Sequence, residues 1–210
     1  KKISKTKNSK HILAGSLGKF FRNSLKDFRN NQNPWFVPNM KRVEELKKYF
    51  YDSEKIKVGL SWKSTAETYK DKNVSLIDLA KIFPDNYFKI INLQYGDIKS
   101  DKIEFEKKTK RKLIHFDNFD YTNDLEGLVA LIWNCDLVVS ISNATVHFAG
   151  ALGKLTWVLT PTPAQWYWHF DRKKCLWYPN VKLFRQKNKG ERDYVFDQIK
   201  AEVSLKYIKK

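Results

Sequence analysis

Sulfur is nearly absent from this sequence: its 210 residues include two cysteines, Cys135 and Cys175, and one methionine. The cysteines stand far apart with no Cys-x-x-Cys, and Cys135 lies in an apolar stretch, so a disulfide framework is excluded and reduced cytoplasmic thiols are expected. No apolar run is long enough to cross a bilayer, and no signal-peptide core follows the basic start, so a soluble protein is expected. Negative charge is also scarce, with 23 Asp and Glu against 40 Lys and Arg, a formal net charge of +17. That sign favours polyanions, yet no helix-turn-helix, zinc or aromatic RNA-reading motif accompanies it. The lysines are scattered over most polar positions, as on an ordinary solvated surface. Weak peripheral contact with an anionic membrane fits such a surface; specific nucleic-acid binding does not. Missing too are an Asp-x-Asp pair near any candidate site and a Walker glycine loop, so no metal and no P-loop chemistry are expected.

Aromatics are plentiful, and the apolar residues come in periodic blocks, which marks a globular chain. The length suits one domain, with room for an appendage. Residues 1 to 10 form a Lys, Ser and Asn tail, expected to be disordered or a cut linker. With no initiator Met before Lys1, the chain is expected to be a piece of something longer. An irregular segment follows, rich in Phe20, Phe21, Phe28, Trp35 and Phe36, whose rings need something to pack against. From Asn39 the spacing of Val43, Leu46 and Phe50 predicts a capped helix.

Ile56, Val58 and Leu60 then alternate with polar or small residues as a first strand. Ser75 caps a helix bearing Leu76, Leu79, Ala80 and Phe83, stopped by Pro84. Strands are expected at Tyr87–Leu93, Lys112–Phe116, Cys135–Ile141, Thr156–Leu159 and Val181–Arg185. Helices are expected over Lys99–Thr109, after an Asn123/Glu126 capping pair, and over Glu191–Leu205. This alternation predicts an α/β fold, a doubly wound Rossmann-like parallel sheet of about six strands, with residues 1–54 as tail and linker and 55–205 as the domain. Ligands of such sheets bind beyond the carboxyl ends of the strands, which places the loops at 62–73, 94–101, 116–123, 142–147 and 160–169 on one rim.

Within that rim, Ser140 to Gly153 stands out. Small and polar residues separate the buried run Leu137-Val138-Val139 from Thr156-Trp157-Val158, so they form a strand-to-helix turn. The first amides of a helix lack internal partners and carry partial positive charge, which makes such a turn an anion site. Asn143 and His147 stand four apart on one face, and His147 leans back toward the turn that Ser142, Asn143, Ala144 and Thr145 form. An ordinary N-cap and a packed core histidine explain the same residues equally well. Trp166, Tyr167 and Trp168 crowd the last rim loop beside Pro161 and Pro163, followed by Trp177-Tyr178-Pro179. They form either a structural lid or a wall beside a ligand pocket, with Trp62, Trp166 and Trp168 expected on an exposed face.

Several blocks resemble a known family. They are Gly15-Ser16-Leu17 with Phe21-Arg22, Val58-Gly59-Leu60-Ser61-Trp62, Leu93-Gln94-Tyr95-Gly96-Asp97, and Asp136 to Gly153; Trp177-Tyr178-Pro179 and Leu183-Phe184-Arg185-Gln186 extend them. Together, over about residues 11 to 200, they are similar to bacterial proteins in which tetratricopeptide repeats precede a GT-B type glycosyltransferase, distant relatives of the ADP-heptose lipopolysaccharide heptosyltransferases. The resemblance implies the donor-binding half of a GT-B fold holding a nucleoside-diphosphate sugar. It implies donor contacts from Ser61, Trp62, Lys63, Lys72, Gln94, Tyr95, Asp97, Asp101, Ser142, Asn143, Ala144, Thr145 and His147. Among these, Lys72 takes the place of a donor-contacting lysine, Asp101 or else Asp97 that of the acidic group on the ribose, and His147 that of a leaving-group stabiliser. Where the heptosyltransferases read Asp-Thr-Gly before the two residues and His, this chain has Ser142, Asn143 and Ala144.

The same resemblance places the catalytic base and the acceptor, a glycan or protein, on an N-terminal half and repeats of the same polypeptide. No residue of this chain matches that base, so donor binding without transfer is expected of it. Two alternatives remain open at this stage: a basic module for nucleic acid or another polyanion, and a degenerate glycosyltransferase-like domain that binds a partner and catalyses nothing.

Overall fold

The computed structural model describes residues 11–28, 34–50, 54–64, 71–169 and 172–208. The tail at 1–10 and the middle of the loop at 62–73 lie outside those residues. Five parallel strands, β1 (Ile56–Ser61), β2 (Phe88–Asn92), β3 (Leu137–Ile141), β4 (Thr156–Thr160) and β5 (Val181–Arg185), form one sheet in the order β2-β1-β3-β4-β5. The strands are short apolar runs because both faces are covered, as parallel sheets require. Val58, Leu60, Leu137 and Val139 face α3 (Leu76–Lys81), α4 (Lys99–Thr109) and α7 (Arg192–Tyr207) through Leu79, Phe105 and Ile199. Ile91 and Val138 face α2 (Met40–Lys47), α5 (Leu125–Trp133) and α6 (Ala144–Ala151) through Leu46, Leu131 and Ala149.

Two expectations need correction. Residues 112–116 do not form a strand: only Ile114 bridges Ile91, with Asn92 N–H donating to Ile114 O at 2.9 Å and Ile114 N–H to Ile90 O at 3.0 Å. The chain then turns away, because the amide of Phe116 donates to the Tyr121 hydroxyl at 3.1 Å rather than to the sheet. Five strands result instead of about six. The cap of α5 is Asp124, not Asn123: its Oδ1 accepts from Gly127 N–H at 2.8 Å, and its Oδ2 pairs with Arg42 at 2.8 Å. A carboxylate beats an amide at a helix N-terminus, while Asn123 is held in the preceding turn by Asp120. Glu126, the expected partner in that cap, instead accepts from Asn39. Asn39 and Ser75 cap α2 and α3 as their sequences suggest.

The irregular segment packs on the sheet domain itself. The amides of Trp35 and Phe36 both donate to Ala151 O, at 2.7 and 3.1 Å, closing the C-terminal end of α6. Trp35 lies against Tyr178 and Phe36 against Phe148, and a short helix, α1 (Gly18–Phe21), precedes them. Among the described residues, no helix is long and apolar enough to cross a membrane.

Candidate functional site

Strand order decides where a ligand can enter. From β1 the chain crosses over to β2 on one side, and β3 returns to β1's other side, so the crossovers on either side of β1 diverge and leave a crevice beyond the carboxyl ends of β1 and β3. Ser61 ends β1, and the turn Ser142–Asn143 follows β3, so both sit at that crevice.

Polar side chains lace the strand ends together. Asn143 caps α6, its Oδ1 accepting from Thr145 N–H at 3.1 Å, with Ser140 Oγ also 3.1 Å away. Its Nδ2 donates to Ser61 Oγ at 2.7 Å, and Ser61 Oγ donates to Gln94 Oε1 at 3.0 Å. The same Gln94 oxygen accepts from the amides of Trp62 and Lys63, both at 2.9 Å. Asn92 in turn accepts from Gln94 N–H at 3.0 Å. Ser61, Asn92 and Gln94 are fully buried and Asn143 nearly so. The structure therefore uses the side chains of Ser61, Gln94 and Asn143 to shape the rim.

Two lysines reach the crevice. Lys72 Nζ donates to Ser142 O at 2.6 Å, which sets an ammonium on the turn before α6, and burial lowers its pKa from the ordinary lysine value. Lys63 Nζ donates to Asp97 O at 2.7 Å and to Asp101 Oδ2 at 2.6 Å. Trp62 Nε1 donates to the same Asp101 oxygen at 3.2 Å. Asp101, partly exposed, thus lies beside Lys63, whereas the Asp97 carboxylate caps Lys99 N–H at the start of α4. Tyr95 is half-buried and Ala144 exposed on the rim.

His147 points to the aromatic loop. Its ring stacks on Trp168 with centroids 5.3 Å apart and planes 7° from parallel, and its Nδ1 is 3.3 Å from the Tyr178 hydroxyl. Burial holds its pKa below the ordinary histidine value, so at neutral pH it is a neutral ring. When the tyrosine donates to Nδ1, Nε2 keeps the proton and becomes a donor. Tyr178 approaches this closely because Gly150 lies beneath it, where a Cβ would come within 2.6 Å of the phenol ring. Trp168 Nε1 donates to Ser142 Oγ at 2.8 Å, and Ser142 Oγ donates to Gln165 Oε1 at 3.0 Å. Thr145 is buried, and its hydroxyl meets no partner among the described residues.

The aromatic face also departs from expectation. Trp62 and Trp168 are fully buried, and Trp166 alone of the three is exposed. Each buried indole has a hydrogen-bond acceptor, Asp101 or Ser142, which removes the cost of burying its N–H. Gln165 and Tyr178 are functional neighbours that residue spacing did not identify. Their one signal in the sequence was the crowding of aromatics and prolines around them.

No protein-family model matches the chain. Protein FlbA of Caulobacter vibrioides is 28% identical over 159 residues, covering 73% of this chain and 26% of that protein. The E. coli ADP-heptose lipopolysaccharide heptosyltransferase II structure superimposes with a TM-score of 0.53 at 15% identity, over 80% of this chain and 54% of that one. A glycosyl transferase family 9 structure from Veillonella parvula gives a TM-score of 0.48 at 14% identity, over 83% of this chain and 46% of that one. The chain thus spans about a quarter of the length of FlbA and about half that of heptosyltransferase II. What the likeness to heptosyltransferase II shows is the fold: an α/β domain with a five-stranded parallel sheet of the Rossmann-like kind.

Proposed function

We propose that the chain is the donor-binding lobe of a GT-B type glycosyltransferase and holds a nucleoside-diphosphate sugar at the turn between β3 and α6. The observation that carries this reading is the Lys72 ammonium, 2.6 Å from Ser142 O at the N-terminus of α6 in the β1/β3 crevice. A diphosphate there meets the first-turn amides, the helix dipole and a partly desolvated cation at once. Asn143 contributes the shape of the turn, and His147 a neutral N–H donor. Asp101, with Asp97 beside it, is assigned to the ribose, and Lys63 holds both in place.

Transfer builds negative charge on the leaving diphosphate, and groups fixed in advance in a crevice are worth most there. Lys72, the amides and His147 meet that charge themselves, so the proposed transfer needs no divalent ion. The acceptor and the catalytic base are assigned to a second lobe, with tetratricopeptide repeats preceding it in the same polypeptide. That assignment follows the sequence resemblance, and the coverage of 54% of heptosyltransferase II is consistent with it. Without that lobe, positioning and general base catalysis are missing, so the chain binds donor but transfers nothing measurable.

Calorimetric titration with ADP, UDP, GDP and CDP tests the site, with and without EDTA. At least one nucleoside diphosphate is expected to bind without added metal. His147→Ala and Lys72→Ala should each weaken it by about 1 to 3 kcal/mol, the range for a charge-assisted hydrogen bond. Binding of none of the four, or equal affinity in both variants, would refute the assignment.

A further inference from the structure

A cleft of about 560 Å³ separates the N-terminal segment from the aromatic loop, away from the crevice residues described above. Lys19, Arg22 and Arg172 line it with positive charge, and Phe28, Trp166 and Trp177 with rings; none of the described lining residues is acidic. Asp27, the carboxylate of the 11–28 segment, is folded back on its own turn, accepting from the amides of Asn23 and Ser24 at 2.9 and 2.8 Å. The rings are ordered against one another. Phe28 meets Trp177 edge-on at 5.0 Å between centroids, Trp166 meets Trp177 at 6.3 Å, and the Arg22 guanidinium carbon lies 5.5 Å over Phe28. Trp166 nonetheless leaves 62% of its surface exposed.

Two N–H groups in this wall, Arg22 Nε and Trp177 Nε1, are buried with no acceptor among the described residues. Buried donors are nearly always paired, so two orphans in one cleft wall call for a ligand that brings acceptors. The cations ask that the ligand be anionic, and the exposed indole asks for an apolar face to stack on it. A pyranose has such a face and a rim of hydroxyl acceptors.

We propose that this cleft binds an anionic saccharide, a pyranose bearing a carboxylate or a phosphate. The sugar face lies on Trp166, the anion meets Arg22 and Lys19, and a sugar oxygen accepts from Trp177. The aromatic loop divides this cleft from the candidate donor site. Gln165 and Trp168 hold Ser142 on one side of the loop, while Trp166 and Trp177 line the cleft on the other. As a saccharide site, the cleft stands apart from the glycosyltransferase reading, which assigns the acceptor to another lobe.

The test is a titration of the 210-residue chain, followed by the indole and backbone amide signals in ¹H–¹⁵N spectra. The probes are glucuronic acid, glucose 6-phosphate, glucose, acetate and inorganic phosphate. Glucuronic acid and glucose 6-phosphate should shift the Trp166 and Trp177 indole signals saturably. Each should bind about tenfold more tightly than glucose and than acetate or phosphate alone, since charge and ring contribute together. A preference for one of the two charged sugars identifies the anion as carboxylate or phosphate. Trp177→Phe keeps the ring and removes the donor, and Lys19→Gln changes an exposed position; each should weaken binding about five- to tenfold. Equal binding of glucose, equal binding of the bare anions, silence of both indoles, or wild-type affinity in both variants overturns the proposal. ADP, UDP, GDP and CDP added to the same sample report the turn at α6 separately, so saccharide binding without nucleotide binding refutes the donor assignment alone.

Discussion

Replacing Asn143 by alanine tests how the rim is built. The change removes the cap on Thr145 N–H and the 2.7 Å hydrogen bond to Ser61 Oγ. Losing an N-cap costs about 1 kcal/mol, and losing a buried hydrogen bond about 1 kcal/mol more, with a further fraction for the Ser61 hydroxyl left with one partner fewer. The expected loss is about 2 to 3 kcal/mol, or roughly 5 to 10 °C in Tm for a chain of this size. Urea denaturation of both proteins measures it. Asn143→Asp separates stability from binding. The carboxylate still accepts from Thr145 N–H and gains from the helix dipole but no longer donates to Ser61 Oγ, so the loss should be about 1 to 2 kcal/mol, smaller than for alanine. It also places a negative charge where the diphosphate is assigned, so nucleotide affinity should fall sharply. A stable Asn143→Ala variant, within about 0.5 kcal/mol of wild type, refutes the polar lacing. Undiminished nucleotide binding by Asn143→Asp refutes the position of the site.

The other predictions concern stability and reactivity. Burial lowers the pKa of His147 and of His115, where Lys102 adds to the effect, from the ordinary 6.5. The unfolded chain therefore takes up protons before the folded one does, so stability is full above about pH 6.5 and falls as the pH drops below it. Denaturation between pH 7 and 5 should show this slope, and a His147→Gln, His115→Gln double variant should flatten it. Gly59→Ala should cost about 1 to 3 kcal/mol by overpacking, because its Cβ would lie 2.9 Å from Cys135 Sγ; a neutral result in chemical denaturation contradicts the tight approach of β1 to that cysteine. Burial pushes the Cys135 thiol up to about 12 and also raises Cys175. Neither should react with a thiol reagent at pH 8 until denaturant is added, and rapid native labelling would contradict their burial.

Much of the fold was legible because parallel sheets write themselves as apolar runs between capped helices. The strands at 56–61, 137–141, 156–160 and 181–185 and the caps Asn39 and Ser75 follow from local rules alone. The segment at 112–116 did not, since its strand-like sequence is overruled by a tyrosine hydroxyl that competes for the Phe116 amide. At the candidate site, the turn could be read from the residues and Lys72 only through the family resemblance, and how the side chains divide between ligand and rim could not be read at all. Whether a buried amide such as Gln94 faces a ligand or three neighbouring donors depends on which loops fold beside it. The exposure of a tryptophan likewise depends on its partner: Trp62 found Asp101 and Trp168 found Ser142, whereas Trp166 stayed at the surface.

The two amides that close α6 on Ala151 give this short helix a mechanical role. Its N-terminus forms the turn at the crevice, and its C-terminus, about 12 Å away for eight residues at 1.5 Å each, is gripped by the backbone of Trp35 and Phe36. The helix is a strut with one end on the segment around residue 35 and the other on Lys72. Trp35 and Phe36 at one end and Lys72 at the other thus fix α6 and the turn that leads into it from both sides.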